Sequence, residues 1–173
     1  KNTKGQLAII GIDYADVRDF ASAGILTKDY ETGEYIWRQH TWICEDSPFL
    51  SSIKFPIMQN MGQPEFEDYE VVPGPDVNTI VAWCLDKMQD YEVKKITMDT
   101  YRYNLFKMAF EAVGLTVEDK KNKDGIVRLV RKITSATGII APAIQALFSQ
   151  HLINYGPSSI MRWYTNNTSV TED

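Results

Sequence analysis

The run Leu7-Ala8-Ile9-Ile10-Gly11-Ile12 closes on an aspartate, Asp13. An unbroken apolar stretch of this kind has the signature of a central strand buried on both faces. An ionised carboxylate at its end is costly unless a metal, a cation or hydrogen-bond donors compensate it. A second apolar strand ends in the same way, Ile96-Thr97-Met98-Asp99. In open α/β sheets the carboxyl ends of the strands border the ligand crevice. Two acids delivered to that edge suit a hard divalent cation such as Mg²⁺ or Mn²⁺, which prefers carboxylate oxygens. Taken singly, a strand-end acid is more often a helix cap or a turn residue; two in matching positions make the metal reading about as good.

Bulk properties narrow the chemistry. A chain of 173 residues is expected to form one domain over 1–173, burying roughly 70% of its unfolded surface. No apolar run approaches the roughly 20 residues of a membrane span, and the start lacks a signal-peptide pattern. Cys44 and Cys84 are far apart with no second ligand beside either, which reads as buried free thiols in a reducing compartment. His40 and His151 are the only histidines, so zinc is disfavoured and carboxylates must carry the chemistry. The net charge of −5 speaks weakly against nucleic acid. A carboxylate site is itself negative until it holds metal, however, and local patches outweigh the total.

The first third of the chain reads as an antiparallel meander with strands at 7–13, 20–26 and 35–43. A turn over 14–18 and the polar turn Asp29-Tyr30-Glu31-Thr32-Gly33 connect them. Residues 48–61 are expected to be partly helical, interrupted by Pro56, and 62–75 to form a loop. Asp76 caps a helix whose Val77, Ile80, Val81, Cys84, Leu85 and Met88 make one buried stripe. Strand 93–99 leads to a helix with Leu105, Met108, Ala109, Ala112 and Val113 on one face, ended by an αL glycine, Gly114. A short strand at 115–118 would complete a strand–helix–strand unit with parallel pairing. Helices near 126–134 and 141–150 follow, the second with Pro142 early. A strand at 152–155, a helix opened by Pro157 and an extended segment over 168–173 complete the reading. Antiparallel strands followed by parallel βα units suggest an α/β fold with a mixed sheet of five or more strands flanked by helices, of the ribonuclease H type, although composition alone fits other α/β folds equally.

Several segments, in this order and spacing, resemble the nuclease domain of the large terminase subunit of tailed bacteriophages. They are Gly11-Ile12-Asp13, Arg18-Asp19-Phe20-Ala21-Ser22-Ala23, Trp42-Ile43-Cys44-Glu45-Asp46, Val72-Pro73-Gly74-Pro75-Asp76-Val77, the strand-end Asp99, and Arg162-Trp163-Tyr164-Thr165-Asn166-Asn167 leading to Asp173. The resemblance runs from Gly5 to Asp173. It implies a ribonuclease H-like fold that cuts double-stranded viral DNA during genome packaging, with two divalent cations, Mg²⁺ or Mn²⁺. By motif, Asp13 is the first acid and bridges the ions, Asp99 is the second and Asp173 the third; Asp19 lies beside the metals. Two ions roughly 3.5–4 Å apart can activate a water and stabilise the leaving 3′-oxygen. The family also implies an ATPase domain, the portal and the small terminase subunit as partners, no membrane, and the cytoplasm of the infected bacterium. No Walker A pattern is present, so this chain is read as the nuclease part alone.

Other features admit two readings. Asp16 reads as a turn residue. Asp19 is a turn or a site residue, and Glu45 and Asp46 cap a helix or assist a metal. Lys120, Lys121, Lys123, Arg128, Arg131 and Lys132 place six of the eighteen basic residues within 120–132. That stretch is either a solvated loop and helix face or a contact to the DNA backbone, and Arg102 could also reach a phosphate. The four tryptophans are assigned to the core. Two further functions keep the same sequence logic: a resolvase of Holliday junctions or ribonuclease H proper, and a non-catalytic module that clamps DNA.

Overall fold

A computed structural model describes residues 3–14, 19–52, 68–130 and 133–168. Strands β1 (Leu7–Tyr14), β2 (Phe20–Lys28) and β3 (Tyr35–Cys44) form the expected antiparallel meander. The turn between β2 and β3 is organised by Asp29, whose carboxylate accepts the backbone N–H groups of Glu31 and Thr32 at 2.9 and 3.3 Å. Strand β4 (Tyr69–Val72) runs parallel to the end of β3, inside a segment that composition marked as loop. The Gly and Pro residues that favour a loop flank this pairing, while Tyr69, Val71 and Val72 are good strand formers. The expected helix over 48–61 is represented by a short 3₁₀ turn, Leu50–Ser52; residues 53–61 lie outside the described part.

Helix α1 (Val77–Asp90) begins where expected. Asp76 caps it, accepting the Thr79 N–H at 2.9 Å, and Ile80, Val81 and Cys84 are buried. Strand β5 (Glu92–Met98) lies parallel to β1, and helix α2 (Tyr103–Ala112) ends before Gly114, which takes the left-handed conformation. The buried side of α2 is not the expected stripe. Phe106 and Phe110 are fully enclosed, whereas Leu105 and Met108 are 48% and 68% exposed. Two aromatic rings one turn apart bury more apolar area than the aliphatic stripe, and Tyr14 packs edge-on against Phe106 at 5.2 Å.

The parallel partner of β5 is β6 (Val127–Leu129), in place of the helix expected at 126–134. The expected strand at 115–118 contributes only an isolated bridge from Val117 to Val127. Ile126, Val127, Leu129 and Val130 are too short a run to build a helix, and the β-branched residues among them favour a strand. Helix α3 (Ile133–Ser149) is longer than expected and carries Pro142 in its interior. Strand β7 (Ile153–Asn154) pairs with the beginning of β3, and helix α4 (Ser159–Asn167) follows Pro157.

The sheet order is β4-β3-β2-β1-β5-β6, with β7 also on β3. Its one face packs against α1 and α2 through Ile10, Ile12, Ile25, Trp42, Ile96 and Met98. On the other face α4 covers the β3 side, where Ile160 joins Ile43 and Tyr69. Cys44 and Cys84 are buried free thiols, as expected, and burial pushes Cys84 up to about 12.

The second face is kept open beside β1 by small residues. The Trp37 indole lies across Gly24: a Cβ there would fall 2.0 Å from Trp37 Cζ2. Gly24→Ala must therefore displace a rigid indole, at about 1–3 kcal/mol. Chemical denaturation of Gly24→Ala, Trp37→Ala and the double variant is expected to show strong coupling, with Trp37→Ala removing most of the glycine penalty. Additive effects would contradict this packing.

Candidate metal centre

The candidate site follows from strand register. Ile12 of β1 is level with Met98 of β5, and the next residues along these adjacent parallel strands are Asp13, near the end of β1, and Asp99, the first residue beyond β5. Such strands are about 4.8 Å apart. Across β1 on the other side, Asp13 faces Ser22, Ser22 faces Thr41, and Thr41 faces Tyr69. One row of positions thus crosses the sheet from acid to acid to hydroxyl to hydroxyl. Because Ile12 and Met98 point into the helix-covered core, alternation turns Asp13 to the open face.

Asp19, immediately before β2, joins this region. Its carboxylate accepts the Phe20 N–H at 2.8 Å, and that of Asp99 accepts the Tyr101 N–H at 2.9 Å. The Asp13 carboxyl is raised above the ordinary carboxylate value, first by burial and then by the negative charges of Asp99 and Asp19. Asp13 is exposed, yet it borders a cleft whose walls take the place of part of the water that would stabilise its charge. Three of the four acids expected from the sequence are therefore near neighbours; Asp173 lies outside the described residues. Among the described residues no three His, Cys, Asp or Glu side chains converge tightly enough to hold an ion by themselves.

A cleft of about 620 Å³ contains Asp13, Asp19, Ser22, Gln39 and Tyr164, with Trp37 and Phe49 among its walls. Tyr164 is delivered by α4, whose first turn is fixed by Ser158 accepting the Met161 N–H at 3.0 Å. Trp163 of the same helix packs on Phe20 at 6.2 Å. The Thr41 hydroxyl donates to Gln39 Oε1 at 2.6 Å and lies 3.0 Å from Ser22 Oγ and 3.3 Å from the Tyr164 hydroxyl. Gln39 Nε2 in turn donates to the Asp68 carbonyl at 3.2 Å and to its carboxylate at 3.4 Å; Ser158 Oγ also donates to that carboxylate. Burial raises the Tyr164 phenol above its ordinary value.

Sequence reasoning missed Ser22, Gln39, Thr41 and Tyr164. Ser22 and Tyr164 sit within segments that carried the family resemblance, but only the cross-strand register shows that they border Asp13. The tryptophan assignment also divides. Trp42 is buried and stacks edge-on with Trp83 at 6.4 Å, whereas Trp37 lines the acid cleft.

The basic residues lie toward β6. Lys120, Lys123 and Arg128 border a cleft of about 870 Å³ together with Thr97, two residues before Asp99. Lys121 belongs to the same exposed loop, where its backbone N–H donates to the Asp119 carboxylate. Arg128 is on a strand rather than a helix, and Glu118 pairs with it at 3.6 Å and with Lys95 at 3.3 Å. Arg102 is exposed, in a left-handed conformation at the start of α2, with its guanidinium 5.5 Å from the Tyr101 ring centre. Arg131 and Lys132 lie outside the described residues.

A carboxyl whose pKa is raised by folding binds its proton more tightly in the folded chain than in the unfolded one. Stability is therefore fully retained below the ordinary value of 3.8 and falls as the pH climbs through the folded value. Asp13→Asn is expected to raise the Tm of the metal-free protein at neutral pH, with the gain vanishing below the ordinary carboxylate range. A lower Tm at neutral pH, read by differential scanning calorimetry, would mean that the charge is already compensated.

No protein-family model matches the sequence, and no curated protein is similar to it at the sequence level. The crystal structure of the HK97 bacteriophage large terminase is similar to it in fold, with a TM-score of 0.70 over 91% of this chain at 13% identity. The chain spans 31% of the length of that terminase. In fold, then, the chain is similar to part of a phage large terminase, in agreement with the family that its motifs resemble.

Proposed function

We propose that this chain is a divalent-metal-dependent endonuclease that cuts double-stranded DNA during viral genome packaging. The observation that carries the reading is that Asp13 and Asp99 each directly follow the paired residues Ile12 and Met98 of adjacent parallel strands, close enough for Asp99 and Asp19 to help raise the Asp13 carboxyl. A mutually repelling set of hard oxygen donors fits Mg²⁺ or Mn²⁺ in both charge and ligand type. Asp13 and Asp99 would hold the ions, Asp13 between them, with Asp19 beside and Asp173 completing the set. Bound ions supply charge stabilisation of the reacting phosphodiester and a water activated for attack.

The chain's own residues do the rest. Lys120, Lys121, Lys123 and Arg128, with Arg102 bordering a neighbouring cleft at Leu129, offer cations to phosphates along one edge of the sheet. Arg131 and Lys132 extend the same sequence stretch. Contacts of this kind set the position of a duplex without reading its sequence. The pairing of Arg128 with Glu118 lowers its free charge, so the exposed lysines of the 119–124 loop carry more of the attraction. In this reading the domain works beside an ATPase domain, the portal and the small terminase subunit, in the cytoplasm of the infected host. No helix among the described residues is long and apolar enough to cross a membrane.

Conversion of supercoiled plasmid to nicked and linear forms tests the proposal. Cleavage is expected to require Mn²⁺ or Mg²⁺, to be faster with Mn²⁺, and to fall to the metal-free background in Asp13→Ala and Asp99→Ala. Equal cleavage by wild type and Asp13→Ala, in preparations freed of contaminating nuclease, would overturn it in favour of a module that only clamps DNA.

A further inference from the structure

Beside Asp13, three hydroxyl groups meet: Ser22 on β2, Thr41 on β3 and Tyr164 on α4. Ser22 Oγ and the Tyr164 hydroxyl both lie within hydrogen-bond distance of Thr41 Oγ1, at 3.0 and 3.3 Å. The direction of these bonds follows from counting protons. Gln39 Nε2 contacts only acceptors on Asp68, so that end of the amide is the NH₂ group and Oε1 faces Thr41. Oε1 can only accept, so the single proton of Thr41 goes to Gln39. Two protons then remain, those of Ser22 and Tyr164, and the three contacts that Ser22, Thr41 and Tyr164 make with one another take them up.

All three hydroxyl protons are thereby engaged within the cluster. Ser22 and Tyr164 border the cleft that contains Asp13 and Asp19, and what they have left for that cleft is lone pairs. Such a wall cannot donate to a carboxylate, and it offers nothing favourable to a phosphate oxygen. It is suited to accept hydrogen bonds, and the strongest donors compatible with a cluster of acids are the polarised water molecules of a hydrated cation.

We propose that Ser22 Oγ and the Tyr164 hydroxyl oxygen accept hydrogen bonds from water molecules carried by a divalent ion at Asp13, as positioning residues that do not themselves touch the metal. The inference rests on the nuclease reading above and adds to it a determinant of ion choice. Mg²⁺ sheds water reluctantly and keeps several molecules when bound through one or two carboxylates, so it depends on groups that hold those waters. Mn²⁺ tolerates imperfect ligand geometry better and depends on them less. Thr41 and Gln39 enforce the arrangement from the buried side, where Thr41 is fully enclosed.

Isothermal titration calorimetry with Mg²⁺ and with Mn²⁺, on this chain without DNA, provides the test. Ser22→Ala and Tyr164→Phe each remove one acceptor and leave the acids in place; their melting curves without metal report on folding. Each is expected to weaken Mg²⁺ binding about 10-fold or more, to weaken Mn²⁺ binding less, and so to shift the Mg²⁺/Mn²⁺ affinity ratio. Asp13→Asn is expected to abolish binding of both ions. Unchanged Mg²⁺ affinity in both hydroxyl variants, alongside loss in Asp13→Asn, would overturn the acceptor role and leave the nuclease reading standing. Equal losses for the two ions would also overturn it, since general damage has no reason to discriminate between them. If the wild-type chain binds neither ion, both proposals fall.

Discussion

The parallel pairing of β1 with β5 is the constraint on which the candidate site depends. It is not a simple ladder. Ala8 is level with Val93, but Ile9 is level with Lys95, so β5 carries one extra residue near Lys94. An irregularity of this kind resets both register and side-chain alternation. It lets Val93 and Ile96, an odd number of positions apart, both face the core. It also brings Met98 level with Ile12, the residues directly before Asp99 and Asp13. With the register of the first two pairs continued unbroken, Asp13 would stand beside Met98 and the two acids would be offset.

Once that register is set, the two faces of the sheet take opposite tasks. The face under α1 and α2 is filled with Ile10, Ile12, Ala23, Ile25, Ile96 and Met98, and it supplies the apolar burial that holds β1 in the centre. The other face is built from small and polar residues where it passes Asp13: Gly11, Ser22, Gly24, Gln39 and Thr41. Gly24 leaves room for Trp37 to lie flat, and Ser22 and Thr41 use their protons on one another and on Gln39. Among the described residues, the hydroxyl protons of Ser22 and Thr41 beside the acid row are thus taken up within the wall. An uncompensated carboxylate in such a place is destabilising in isolation and becomes favourable when a cation binds.

Much of this was legible in the sequence because the relevant signals are local. The apolar run ending in Asp13, the Asp76 cap with its 3.6-residue stripe and the αL glycine at Gly114 each depend on a few adjacent residues. The errors share one cause: they concern choices settled by tertiary contact. Whether α2 buries Leu105 and Met108 or Phe106 and Phe110 depends on where Tyr14 lies above it. Whether 126–130 is a helix or a strand depends on an open edge of β5. In the same way, Ser22, Thr41 and Tyr164 are unremarkable as letters, and they acquire a role only when three separate elements bring their oxygens together. The acids were visible from strand ends, whereas the wall beside them was not.

The central claim is that Asp13 and Asp99 together hold divalent ions. Anomalous X-ray diffraction from crystals of this chain grown with Mn²⁺ addresses it most directly, because the signal locates manganese independently of protein geometry. Manganese is expected at the Asp13 and Asp99 carboxylates. Manganese bound elsewhere on the surface, with the Asp13–Asp99 pair bare, would contradict it.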